Sequence, residues 1–176
     1  NGSTVEQAYL HVVSRTFDRA FRPQFISFEG NSLPITWLDR VQDTVSAQSV
    51  LNFEVGRVDV TDLVATKVGS GGTFDFTVDE VVTGDANSIE GTSLSVIYSN
   101  PNLPERTIVL LEGGITESKI RRQILSFTSP LDTSSPDFNA QLALGISYSS
   151  LQNGQYTTVE INGQKLTSSA GNIDDG

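Results

Sequence analysis

Residues 90–114 carry two apolar runs, Leu94-Ser95-Val96-Ile97-Tyr98 and Thr107-Ile108-Val109-Leu110-Leu111, on either side of Asn100-Pro101-Asn102-Leu103-Pro104. Proline fixes its own φ and pushes the residue before it toward extended backbone, so the pattern reads as two adjoining strands joined by a proline-set turn. It predicts a buried β core in the middle of the chain.

The rest of the chain continues that reading. Residues 4–13 place Ala8, Leu10 and Val12 on one side and Tyr9, His11 and Val13 on the other, the period-two pattern of a strand. Residues 15–23 gather Arg15, Arg19 and Arg22 ahead of Pro23 and read as a loop. Residues 25–28 and 33–35 form a hairpin, with Gly30 and Asn31 expected to take the positive φ of the turn. Between 37 and 49, Trp37, Leu38, Val41 and Val45 fall near helical spacing, which predicts a short helix or an excursion over the core. Residues 50–58 read as a strand. A helix follows, with Asp59 or Thr61 as its cap, Leu63, Val64 and Val68 turned inward, and 69–72 as its stop. Further strands are expected at 73–78, 120–127, 140–149 and 156–161, with a loop at 129–137 and a turn at Asn153-Gly154. Asn162-Gly163 is the strongest short hairpin signal, with 164–167 as its returning arm.

Some ten short strands and one or two short helices predict an all-β chain, a two-layer antiparallel β-sandwich of jelly-roll type. A chain of 176 residues suits a single domain over 1–170, with 171–176 as a frayed tail or linker. The first residue, Asn1, is not a translational start, so the chain reads as a mature or excised piece.

Composition narrows function mainly by exclusion. Eleven basic and twenty-one acidic residues give a formal charge of -10, which repels a nucleic-acid backbone. The absence of cysteine removes disulfides and zinc–thiolate sites. No apolar run reaches membrane-spanning length, so insertion of this chain is not expected.

Four pieces, Val5-Glu6-Gln7-Ala8-Tyr9-Leu10, Phe28-Glu29-Gly30-Asn31, Asp59-Val60-Thr61-Asp62-Leu63-Val64 and residues 91–113, together resemble in layout a group of exported bacterial and archaeal surface β-domains. Members of that group often carry sorting or anchoring tails. The resemblance implies an extracellular or cell-surface location and a role as scaffold, adhesin or assembly unit. It carries over no catalytic residue.

Candidate chemistry is sparse. The single histidine, His11, lies in a predicted strand, and no Gly-x-Ser-x-Gly elbow accompanies it, so a core or edge histidine is favoured over a Ser-His-Asp site. Asp79, Glu80, Glu90, Glu105 and Glu112 are the carboxylates from which a glycoside-cleaving pair could be drawn, with solvated strand ends as the plainer reading. Sugar binding would want exposed aromatics, and Trp37, Tyr98, Tyr148 and Tyr156 are few enough to suit packing instead. Loop oxygens that could serve calcium come from Asp132 and Asp137, from Asp85, and from Asp174 and Asp175, none with EF-hand spacing. Apart from calcium, no cofactor is expected.

The favoured expectation is a non-enzymatic surface protein that self-assembles by strand addition. Its donor would be the apolar arm of residues 3–13, through Val5, Ala8, Leu10 and Val12. The competing arrangement has that arm paired within its own sheet. A carbohydrate- or matrix-binding adhesion module, calcium dependent or not, and a polysaccharide-acting enzyme are the alternatives.

Overall fold

The computed structural model describes residues 2–16, 22–46, 49–69, 71–80, 87–114, 122–145 and 158–167. It is mostly β, with antiparallel sheets and one short helix among the described residues. The chain divides into two compact units, Asn1–Thr116 and Glu117–Gly176.

In the first unit, β1 (Thr4–Thr16), β4 (Thr36–Ser46), β5 (Ser49–Asp59) and β7 (Asn87–Ser99) form one sheet in the order β4-β5-β1-β7. A second sheet, in the order β3-β2-β6, consists of β2 (Phe25–Phe28), β3 (Asn31–Pro34) and the two-residue β6 (Val78–Asp79). The helix α1 (Thr61–Val68) follows β5 directly. The second unit holds the hairpin β8 (Val159–Ile161) and β9 (Gln164–Thr167), turned at Asn162 (φ 51°) and Gly163 (φ 80°), as its Asn-Gly signal predicts.

The apolar core joins both sheets of the first unit to the helix. Ala8, Leu10 and Val12 of β1, Val58 of β5 and Ile89 of β7 meet Ile26 and Phe28 of β2, Val64 of α1, and Ile35 and Val60 from the connections between elements. The period-two pattern of 4–13 is therefore the core-facing side of β1, and the strand runs three residues further, taking in Arg15 and Thr16 from the expected loop. Along the same face the chemistry changes. Leu10 stands opposite Val58 and Val12 opposite Gly56, while Ser14 stands opposite Glu54 and Thr16 opposite Asn52, all four of these last residues buried. Buried polar groups need partners, and this end supplies them. Asn52 donates to the Thr16 carbonyl and accepts from Arg40 and Gln42, while Glu54 lies 3.4 Å from Arg40 and 3.5 Å from Arg22. Opposite Val12 no side chain fits: a Cβ on Gly56 would sit 2.7 Å from Ile35 Cγ2 and 2.9 Å from the Trp37 ring.

Several sequence expectations are corrected. Residues 36–46 form the edge strand β4, not a helix, and a register shift between Trp37 and Asp39 explains the misreading. A bulge adds one residue and inverts the in-and-out alternation beyond it, so apolar residues on either side lose period two. The core is not central. Residues 94–98 lie in β7, but 104–114 join no sheet, and Ile108 and Leu111 are 53% and 58% exposed. Among the described residues, 73–77, 122–127 and 140–145 also lie outside any strand. The turn at Asn153-Gly154 and the tail 171–176 fall outside the described residues.

In the hairpin turn the positive φ falls on Glu29 (52°) and Gly30 (73°), one residue earlier than expected. Asn31 instead donates its side-chain amide to the Glu29 and Phe28 carbonyls, holding the turn closed. The Glu29 carboxylate accepts from the Thr77 N–H and pairs with Lys67, while the Glu29 N–H donates to the Thr77 carbonyl. One left-handed residue thus ties the hairpin to the β6 approach and to α1.

Candidate functional site

The sheet face opposite the core carries the chemistry of the first unit. Alternation puts Tyr9, His11, Val13 and Arg15 on this side of β1, and the antiparallel register sets His11 opposite Arg57 on β5 and Ser93 on β7. Tyr9 and Ser95 are also directly opposite. A pleated sheet therefore brings the His11 imidazole, the Arg57 guanidinium and the Ser95 hydroxyl to a single patch.

A fourth member arrives from outside the sheet. After β7 the chain turns at 100–103, where the Asn100 side chain accepts from the Asn102 N–H and its carbonyl accepts from the Leu103 N–H. The extended segment 104–114 then reaches the outer face, meeting β1 and β5 through Glu112 and β4 through Gly114. Glu112 Oε1 lies 2.9 Å from His11 Nδ1, and Glu112 Oε2 accepts from Arg57 at 2.9 Å. The Gly114 N–H donates to Asp39 Oδ2 at 3.0 Å. Glycine is required at this landing, because a Cβ on Gly114 would fall 2.7 Å from Val41, and Gly113 holds φ 156° beside Asp39.

The resulting patch is tightly connected. His11 Nε2 is 2.9 Å from Ser95 Oγ, the Tyr9 and His11 rings lie 6.5 Å apart, and the Arg57 guanidinium stands 4.6 Å over the Tyr9 ring. The side chains of His11 and Glu112 are only 19% and 15% exposed. Glu112 Oε1 itself is enclosed and makes no aligned hydrogen bond. The His11 contact to it is close but off the hydrogen-bond line. Serine, imidazole and carboxylate thus stand in the spatial sequence of a nucleophile relay.

Sequence reasoning did not assemble this group. His11 and Ser95 are 84 residues apart, and only the β1–β7 register joins them. The sequence holds only local traces of it: Tyr9 and His11 beside Val13 on one side of β1, and an acidic residue followed by two glycines at 112–114.

The other expected site residues are dispersed. Val5, Ala8, Leu10 and Val12 lie on β1, which is bonded along both edges by β5 and β7, and three of them are buried in the chain's own core. Of the five carboxylates, Asp79 accepts from Ser27 and Glu90 pairs with Arg15 at 3.2 Å. Glu80 has a carboxyl raised above the ordinary range, first by partial desolvation and then by the Glu90 charge, although its residue surface is largely exposed. Glu105 is exposed on the 104–114 segment. Asp132 is occupied locally, accepting from the Ser134 N–H and hydroxyl, which hold its carboxyl below the ordinary range. The Asp137 N–H donates to Ser135. Asp85, Asp174, Asp175, Tyr148 and Tyr156 fall outside the described residues. Among the described residues, no group of three or more His, Cys, Asp or Glu is placed to hold a metal ion. Trp37 is half-buried and donates to the Pro23 carbonyl, with Arg22 over its ring, so it is occupied in packing. Tyr98 is exposed.

Among the described residues, no helix is long and apolar enough to cross a membrane. No family model, curated protein or solved structure matches the chain.

Proposed function

We propose that this chain is an exported surface domain of mechanical or adhesive role whose copies join by strand addition into a filament or lattice. The first unit is read as a two-layer sandwich of jelly-roll type, supported by the core its two sheets share. The location rests on the resemblance to exported surface β-domains.

One observation carries the assembly reading: Ile108, Val109, Leu110 and Leu111 have strand-forming side chains and are exposed, yet among the described residues they belong to no ladder. Consecutive apolar residues with unpaired backbone are a template for another strand. A second copy is the occupant, because among the described residues β4 and β7 have no partner strand on their outer sides. Donation by β1 would require dismantling its own sheet, so the donor role passes to 107–111. The charge of -10 opposes association of copies, so added salt should favour it by screening.

Sedimentation velocity tests this. The expected result is association that grows with concentration and with salt, and is lost in the double variant Ile108→Lys, Leu110→Lys. Both positions are exposed, so the fold should survive. A chain that stays monomeric throughout, or a double variant that associates as well as the parent, would end the proposal.

A further inference from the structure

The outer-face patch holds a chemistry that the assembly reading does not use. A carboxylate oxygen can only accept hydrogen bonds, and Glu112 Oε1 is enclosed with His11 Nδ1 2.9 Å away. With that acceptor so near, the tautomer that suits the site is the one with the ring hydrogen of neutral His11 on Nδ1. In that tautomer Nε2 is the bare lone pair, and the Ser95 hydroxyl, 2.9 Å away, donates to it. This is the polarity a hydroxyl needs to become a nucleophile. Arg57 occupies Glu112 Oε2, which leaves Oε1 turned toward the imidazole.

We propose that Ser95 is a nucleophile for activated acyl groups, with His11 as its general base and Glu112 as the positioning residue. Ser95 Oγ attacks the carbonyl carbon of an ester while its proton passes to His11 Nε2. The tetrahedral carbon then expels the alkoxide, which takes that proton and departs as the alcohol. Ser95 retains the acyl group and the ring returns to neutral, with no change of oxidation state. The off-line contact between Glu112 and His11 matches resting relays, whose hydrogen bonds tighten when substrate is bound. Ser95 is part-exposed on a sheet face, which suits a small activated ester.

The test uses the intact chain with p-nitrophenyl acetate and peptide mapping. The expected result is an acetyl group on Ser95, absent from Ser95→Ala, and acquired at least about a hundredfold more slowly in His11→Gln. Acetylation confined to lysines, or Ser95 acetylated equally fast in a folded His11→Gln, would overturn the proposal. A second measurement does not depend on any variant folding. His11 is the only histidine, so nitrogen NMR reports its tautomer without ambiguity. The neutral ring should carry hydrogen on Nδ1, and hydrogen on Nε2 would overturn the assignment. Glu112→Gln should weaken that preference, and an unchanged tautomer would remove Glu112 from its positioning role.

Discussion

Glu29 does three things from one strained position: it takes the left-handed turn, accepts from the Thr77 N–H and pairs with Lys67. The Lys67 hydrogen bond, then the Thr77 N–H, hold its carboxyl below the ordinary range, and the Thr61 hydroxyl and N–H do the same for Asp59. A carboxylate lowered in the native state contributes stability that is complete above its unfolded value and is lost as pH falls through the native value. Glu80 works in the opposite sense, because a raised carboxyl is relieved when it takes up a proton. Urea midpoints should therefore hold down to about pH 5 and fall below it, with Glu29→Gln and Asp59→Asn each flattening that fall. Midpoints with the same acid slope in parent and variants would exclude these two residues. At this scale the sequence was half legible. Gly30 announced a turn, but Asn31 looked the better left-handed residue until its amide proved to be holding the turn carbonyls. The His11 patch was not legible, since its members meet only through register and a crossing segment.

Elements declared themselves where burial repeats without interruption. β1 reads directly from Ala8, Leu10 and Val12, because its burial alternates without a break from Ala8 to Thr16, and α1 reads from Leu63, Val64 and Val68. β4 did not, because its bulge shifts phase at Trp37. One hydroxyl of α1 hydrogen-bonds directly to β1. The Ala8 N–H donates to Thr61 Oγ1 at 2.9 Å, and the Ala8 carbonyl accepts from the Val60 N–H, so β1 gains partners at the point where β5 ends. Thr61→Val keeps the shape and strands the Ala8 N–H. The expected cost is about 1–3 kcal/mol in denaturant melts, with faster exchange of the Ala8 amide. A variant as stable as the parent would mean that water replaces the hydroxyl.

For the molecule as a whole, β content was legible and the place of the core was not. Residues 107–111 have stronger strand propensity than β1, but propensity reports fitness for a pleated surface and says nothing of which segments find one. Among the described residues, all ten of the buried apolar core lie within Asn1–Thr116. A fragment of residues 1–116 should therefore unfold cooperatively on its own, followed by circular dichroism. A broad, non-cooperative melt would show that the first unit depends on the rest of the chain.

The passage from oily to hydrogen-bonding pairs along β1 and β5 has one more consequence. Sliding these strands by two positions preserves which side chains point inward, so simple alternation leaves the alignment open. In one direction such a slip would drive Val12 against the Glu54 carboxylate and take Asn52 away from Thr16. The wet end of the face thus works as a vernier, selecting one alignment among those that greasiness alone would accept.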